Sequence, residues 1–274
     1  MEVRTEGARL YVEQHGSGPD VVLVHGRGQS SARVWRTIVP ALQDEFRVTV
    51  FDQRGCARST DDLGDQSVER HADDVIALMD ALGIARTQLV GFSFGGLVAQ
   101  EVAFRIEPRL DSLTLMCTTC GLRPETISDY LTRADRVERE GMEAYVEKGM
   151  SRVLSPRYVR EEPEATAEYR RQFLLDDPRV YAEAMRAMTR WSGCAQLAKT
   201  TVPLMTIAAD GDDSPITANR ALAASEEIVR VRPDAQAGVI VDSRHYVQLE
   251  QREALLAVLL PFLMAHRKVS SRGL

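Results

Sequence analysis

Long apolar runs are missing from this chain. No stretch approaches the roughly 18 uninterrupted apolar residues a membrane span needs, and Met1-Glu2-Val3-Arg4-Thr5-Glu6 contains no apolar signal core. Runs of lysine and arginine are missing too. The net charge is −6 and the pI about 5.5, which argues against a nucleic-acid partner or an anionic membrane surface. Cysteine is scarce: Cys56, Cys117, Cys120 and Cys194 are too few in 274 residues to form a disulfide framework. Cys117-Thr118-Thr119-Cys120 has no second ligand pair for a metal and follows a strand pattern, so it reads as strand-end packing in a reducing compartment. Internal repeats and low-complexity segments are absent. These absences predict a cytoplasmic protein with no membrane, metal or nucleic-acid business.

What is present is a globular composition, 44% hydrophobic and 27% charged, in a chain long enough for one core plus an insertion. Arg9–Gln14 alternates like a strand, and Gly16-Ser17-Gly18-Pro19 turns after it. Val21–Val24 is a continuous apolar run, as a buried parallel strand requires. Ser31 is placed to cap the next helix, whose apolar positions Val34, Trp35, Ile38, Val39 and Leu42 are interrupted by Pro40; that predicts a kink or a short helix. Strands follow over Phe46–Asp52, Thr87–Val90 and Leu113–Met116, with an amphipathic helix from about Val68 to Leu82 closed by Gly83. Strand and helix alternate, which argues a mostly parallel, doubly wound α/β sheet.

Between Gly121 and about Lys199 strand-like runs disappear and helical spacings dominate. This predicts a helical insertion over 121–199 within an α/β core formed by 1–120 and 200–274. The α/β pattern resumes at Val202–Ala209 and Gly238–Asp242, and a largely apolar helix from Arg252 to about Ala265 ends it.

Gly91-Phe92-Ser93-Phe94-Gly95-Gly96 lies between the strand at Thr87–Val90 and a helical pattern beginning at Leu97. A serine with glycine two residues away on each side, between strand and helix, is the nucleophile-elbow pattern. The turn exposes the hydroxyl and leaves the Phe94 N–H at a helix start, where it can meet an anion. A serine nucleophile needs a base and an acid. Of five histidines, His245 follows a strand of the C-terminal half in a loop, where a base should stand; His25 precedes a glycine loop, and His15, His71 and His266 lie elsewhere. The loop after Ile207 offers Asp210, Asp212 and Asp213 as acids. Nucleophile, acid and base then follow the α/β-hydrolase order.

On these residues the chain resembles α/β-hydrolase-fold enzymes of the esterase, lactonase and haloperoxidase-like branch, over roughly 1–120 and 200–268, with the insertion as the usual cap. The resemblance implies a second oxyanion donor in His25-Gly26-Arg27, the backbone N–H of Arg27 beside that of Phe94. The family's Asp-x-Arg-Gly-x-Gly-x-Ser loop appears as Asp52–Ser59 with Ala57 replacing a glycine. The family's spacing of the acid points to Asp212, with Asp213 open because Ala209 stands where a glycine is usual. His245–Gln251 fits the family's base segment. The tract from Gly141 to Trp191 is diffusely similar to 3-oxoadipate enol-lactone hydrolases, so the lean is a small carboxylate-bearing lactone, with no cofactor. Arg27 is a candidate to meet that carboxylate, Arg244 a lesser one, and Trp191 and Met188 are candidate pocket walls. The alternatives are a carbon–carbon bond hydrolase of vinylogous diketones, cofactor-free haloperoxidase or perhydrolase chemistry, and a non-catalytic ligand-binding protein. The expected assembly is a monomer or homodimer.

Overall fold

A computed structural model describes residues 1–28, 30–62, 64–211 and 221–268. The strands are β1 (Glu2–Thr5), β2 (Ala8–His15), β3 (Asp20–Val24), β4 (Arg47–Phe51), β5 (Thr87–Phe92), β6 (Leu110–Met116), β7 (Leu204–Ala209) and β8 (Gln236–Ile240). Among the described residues they form one sheet in the order β1-β2-β4-β3-β5-β6-β7-β8. β2 runs antiparallel to both β1 and β4, and every other neighbouring pair is parallel. β3, β5, β6 and β7 are buried without alternation, polar positions such as Gln88 and Thr114 included, because helices cover both faces.

Between β3 and β4, α1 (Ser31–Val34) and α2 (Val39–Leu42) are two short pieces, with Pro40 in the first turn of the second. Pro40 thus starts a helix where its missing N–H costs nothing. Ser31 is not the cap: that position is Ser30, and both the N–H and hydroxyl of Ser31 bind Asp52 instead. α3 (Val68–Ala81) is capped by Ser67, whose hydroxyl accepts from the Arg70 N–H. α4 (Phe94–Ile106) follows β5 directly and is buried along most of its length.

Between β6 and β7 stand α5 (Pro124–Glu140), α6 (Met142–Val153), α7 (Pro156–Glu161), α8 (Pro163–Phe173), α9 (Pro178–Arg190) and α10 (Cys194–Leu197). Four of the six begin with a proline in the first turn. α11 (Ala221–Val231) packs on β7, and α12 (Val247–Glu250) and α13 (Arg252–Ala265) close the chain.

The cysteine reading needs correction. Cys120 is bonded not within its own C-x-x-C but to Cys194, 74 residues on, while Cys56 and Cys117 remain buried thiols. The chain leaves β6 and returns before β7 at one neck, where the Gly193 N–H donates to the Cys120 carbonyl at 2.7 Å and Gly121 pairs with Ser192. That return brings the two sulfurs together, so the cysteine pattern no longer supports a reducing compartment. No helix of the described residues is long and apolar enough to cross a membrane.

Candidate active site

Ser93 sits between β5 and α4 with φ 57° and ψ −122°, a conformation that side chains rarely adopt. Its N–H donates to the Met116 carbonyl, and its own carbonyl accepts from Thr118 Oγ1 and the Gly96 N–H. The turn is pressed against β3: a Cβ on Gly95 would come within 2.3 Å of the Val24 carbonyl oxygen. Close approach therefore dictates glycine there.

His245 lies in the loop after β8, and its Nε2 is 2.9 Å from Ser93 Oγ. To accept from the hydroxyl, Nε2 must be bare, which puts the ring proton on Nδ1. Both residues are buried, and the imidazole packs against the rings of Phe92 and Tyr246. Its loop is tied from below: Glu250 accepts from the Arg244 N–H at 3.2 Å and from the Ser155 N–H at 3.1 Å, joining the histidine loop to the helical insertion. Burial pushes the Glu250 carboxyl above its ordinary range. Glu250 falls inside the segment the sequence marks around His245, but nothing there singles it out.

The loop after β3 is braced by a buried polar set. Asp52 accepts from the Ser31 N–H and hydroxyl and from Arg58 Nε. Burial works against the Asp52 charge, but Arg58, His25 and the Ser31 hydrogen bonds outweigh it and hold the carboxyl below its usual range. His25 accepts the Gln53 N–H on Nε2, so Nδ1 donates to the Gly26 carbonyl. Gly26 lets this loop approach the elbow: a Cβ there would stand 3.1 Å from that of Ser93.

Asp212 and Asp213 lie outside the described residues. The stem of their loop is described: the Gly211 N–H donates to the Ser243 carbonyl at 3.0 Å, and Asp210 is exposed and accepts weakly from the Ser243 N–H at 3.5 Å.

A pocket opens over Ser93, His245 and Arg27, walled by Tyr130, Tyr145, Phe173, Tyr181 and the apolar Val146, Met150 and Val153 of the insertion. Arg27 meets no carboxylate within ion-pairing distance among the described residues. Its Nη1 lies 2.7 Å from Met188 Sδ, its Nη2 3.3 Å from the Tyr181 hydroxyl, and its charge sits 4.6 Å from the centre of the Tyr181 ring. Burial opposes its ionisation, but the phenols of Tyr181, Tyr145 and Tyr130 keep it firmly protonated. Neither Met188 nor Trp191 lines this pocket. Met188 is buried behind Arg27, and Trp191 stacks on Phe104 with its indole N–H on Glu101. Helical spacing marked both as apolar without telling which way they face. Cys120, Cys194 and Glu227 form the only metal-type cluster among the described residues, and two of its donors are joined in the disulfide.

A family model described as alpha/beta hydrolase fold matches residues 19–251. A putative carbamate hydrolase RutD of Azorhizobium caulinodans is 29% identical over 75% of this chain and 78% of its own. A 3-oxoadipate enol-lactonase of Acinetobacter baylyi is 26% identical over 94% of each. Among solved structures, a thermophilic esterase from Thermogutta terrifontis with malate bound is similar at a TM-score of 0.86 and 28% identity, over 98% of this chain and 99% of that one.

Proposed function

The chain belongs to the alpha/beta hydrolase fold family, and on that premise we propose that it is a serine hydrolase of small carboxylic esters or lactones carrying an anionic group. One observation carries the reading: the hydroxyl of a strained elbow serine lies 2.9 Å from an imidazole nitrogen. In this mechanism His245 Nε2 takes the Ser93 proton as Oγ attacks the carbonyl carbon. The backbone N–H groups of Arg27 and Phe94 stabilise the tetrahedral oxyanion, each by about 3 kcal/mol. His245 then protonates the departing alkoxide, and the acyl group leaves when His245 activates a water. Asp212 is the proposed partner of His245, because the stem of its loop is hydrogen-bonded to the loop that carries the histidine. The insertion is proposed to act as a cap, since its side chains wall the pocket over Ser93.

The lean to an anionic lactone is supported by Arg27, a cation in the pocket that pairs with no carboxylate among the described residues, and by the enol-lactonase and malate-bound esterase among the similar proteins. The primary test is labelling by a serine-directed fluorophosphonate. Wild type should react and Ser93→Ala should not; equal resistance of the two would end the serine-hydrolase reading. A panel of small carboxylate-bearing lactones, neutral p-nitrophenyl esters and carbamates then ranks substrates, and a clear preference for long neutral esters would remove the anionic lean. Asp212→Asn should lower kcat by roughly 10³–10⁴-fold, and a larger loss in Asp213→Asn would move the acid by one position.

A further inference from the structure

Arg27 has two sides. One faces the pocket of Ser93 and His245. The other helps to line a second chamber, between the loops after β3 and β4 and the start of α9, whose walls include Gln53, His71, Phe94 and Asp176. Arg27 and Tyr181 belong to both chambers and form the partition between them.

The rear chamber holds polar atoms without partners. Arg27 Nε, Gln53 Oε1, His71 Nδ1 and Asp176 Oδ2 are inaccessible and make no hydrogen bond among the described residues. Their roles can be assigned from neighbours. Gln66 donates its amide to Asp61, so its oxygen accepts from His71 Nε2, and His71 Nδ1 is therefore a bare acceptor. Gln53 spends its amide N–H on the His25 carbonyl, leaving Oε1 as an acceptor. Arg27 Nε–H is thus the one permanent donor of the four, and Asp176, a donor only when protonated, is the single group among them able to carry negative charge. Asp176 lies close to that donor's loop: a Cβ on Gly28, the residue after Arg27, would meet Asp176 Oδ2 at 2.7 Å.

A part-buried guanidinium with no ion pair is an expensive arrangement unless an anion comes to it. Two anions can reach this one, an anionic group on a substrate from the front and Asp176 from behind. We propose that Asp176 is a specificity-determining positioning residue, which sets the preference for anionic over neutral substrates by competing from the rear chamber for the Arg27 guanidinium. The proposal rests on the serine-hydrolase reading of the front pocket. Burial raises the Asp176 carboxyl to about 7, against the attraction of Arg27. Below that pH the rear carboxyl is neutral and leaves Arg27 to the substrate; above it the ionised carboxylate draws the guanidinium back. Among the described residues, the other titratable groups that line this chamber with Asp176 are Arg27, Cys56, His71 and Tyr181 across it and Asp177 beside it, and Tyr246 beyond the partition also feels its charge. His71 is held neutral by burial, its basicity pushed down to about 3, and burial holds the Tyr181 phenol well above its usual range. Neither changes charge near neutrality.

The experiment compares mono-p-nitrophenyl succinate, an anion, with p-nitrophenyl butyrate, a neutral ester of similar length, from pH 6 to 8.5. The ratio of their kcat/KM values cancels the titration of the base. In wild type this ratio should fall about three- to tenfold with rising pH, through KM for the anionic ester. In Asp176→Asn the ratio should stay at its low-pH level throughout. Protection of Ser93 from fluorophosphonate by free succinate gives the same comparison without turnover, and the wild-type profile does not depend on how the variant folds. A wild-type ratio that is flat with pH, or a variant profile that still falls with pH, overturns the proposal. If neither ester is hydrolysed and Ser93 takes no label, the reading beneath it has failed instead.

Discussion

His245 Nε2 lies 2.9 Å from Ser93 Oγ although 152 residues separate them. The contact exists because β5 lies at the middle of the sheet, and the loop after β8 folds back over the ends of the strands. Ser93 holds its place at a conformational cost of about 1–3 kcal/mol, since its φ of 57° is one that glycine tolerates and alanine does not. Two substitutions at this position should therefore differ in stability. Ser93→Ala keeps the strain, while Ser93→Gly releases it and should be more stable by about 1 kcal/mol. Urea denaturation of both is the measurement, and equal midpoints would mean the elbow is unstrained.

Gly95 makes the opposite case. A methyl there would run into the carbonyl oxygens of Val24 and His25 at 2.3 and 2.4 Å, both backbone atoms that cannot swing away. Gly95→Ala should push α4 off β3 and cost about 4 kcal/mol or more, among the largest effects of a single methyl. Thermal melts of the purified variant test this; a Tm within a few degrees of wild type would mean that the loop after β3 can move.

These two neighbours show what the sequence could and could not reveal. The central strands were legible because parallel strands buried on both faces are continuous apolar runs, and the elbow because its glycines are demanded by contact. β1 is not legible, because a four-residue antiparallel edge strand, Glu2–Thr5, has too little pattern. Helix spacing marked Met188 and Trp191 as apolar, but which side of the insertion each faces depends on Arg27 and Phe104, distant in the chain. In the sequence Asp176 is one of two adjacent aspartates before Pro178, with nothing local to set it apart. Its neighbour Asp177 does cap α9, and only the approach of Gly28 and Tyr181 makes Asp176 different. Cys120 and Cys194 were equally opaque, because nothing local announces the return of the chain to its point of departure.

The Cys120–Cys194 bond closes a loop of 74 residues that contains most of the insertion. Closing a loop of that length removes denatured-state entropy worth about 4 kcal/mol. Cys194→Ser should therefore lower the midpoint of denaturation, and a thiol reductant should lower that of wild type while leaving the variant unchanged. Melts with and without dithiothreitol decide it: a reductant that shifts both proteins equally would locate its action elsewhere.

Asp176 also makes a prediction about stability that needs no substrate. Its carboxyl is raised by burial to about 7, whereas in the unfolded chain it titrates near 3.8. Between those values the native state holds a proton that the unfolded state has released, so stability falls as pH rises through the interval. The loss approaches its full extent above pH 7 and is bounded by about 4 kcal/mol if the whole shift operates. Asp176→Asn removes this term while keeping the side chain's shape. Its stability relative to wild type should therefore improve as pH rises from 5 to 8. His71 works with the opposite sign: burial lowers its basicity to about 3, so its neutral form favours folding and that support is lost as pH falls below about 6.5. The two effects separate in one set of urea titrations at pH 5, 6.5 and 8. In wild type the two oppose each other between pH 5 and 6.5; the Asn variant should show the acid-side loss that His71 causes without that offset, and lack the decline, up to about pH 7, that Asp176 causes. A decline of equal size in both proteins would mean that the Asp176 carboxyl is solvated and ordinary.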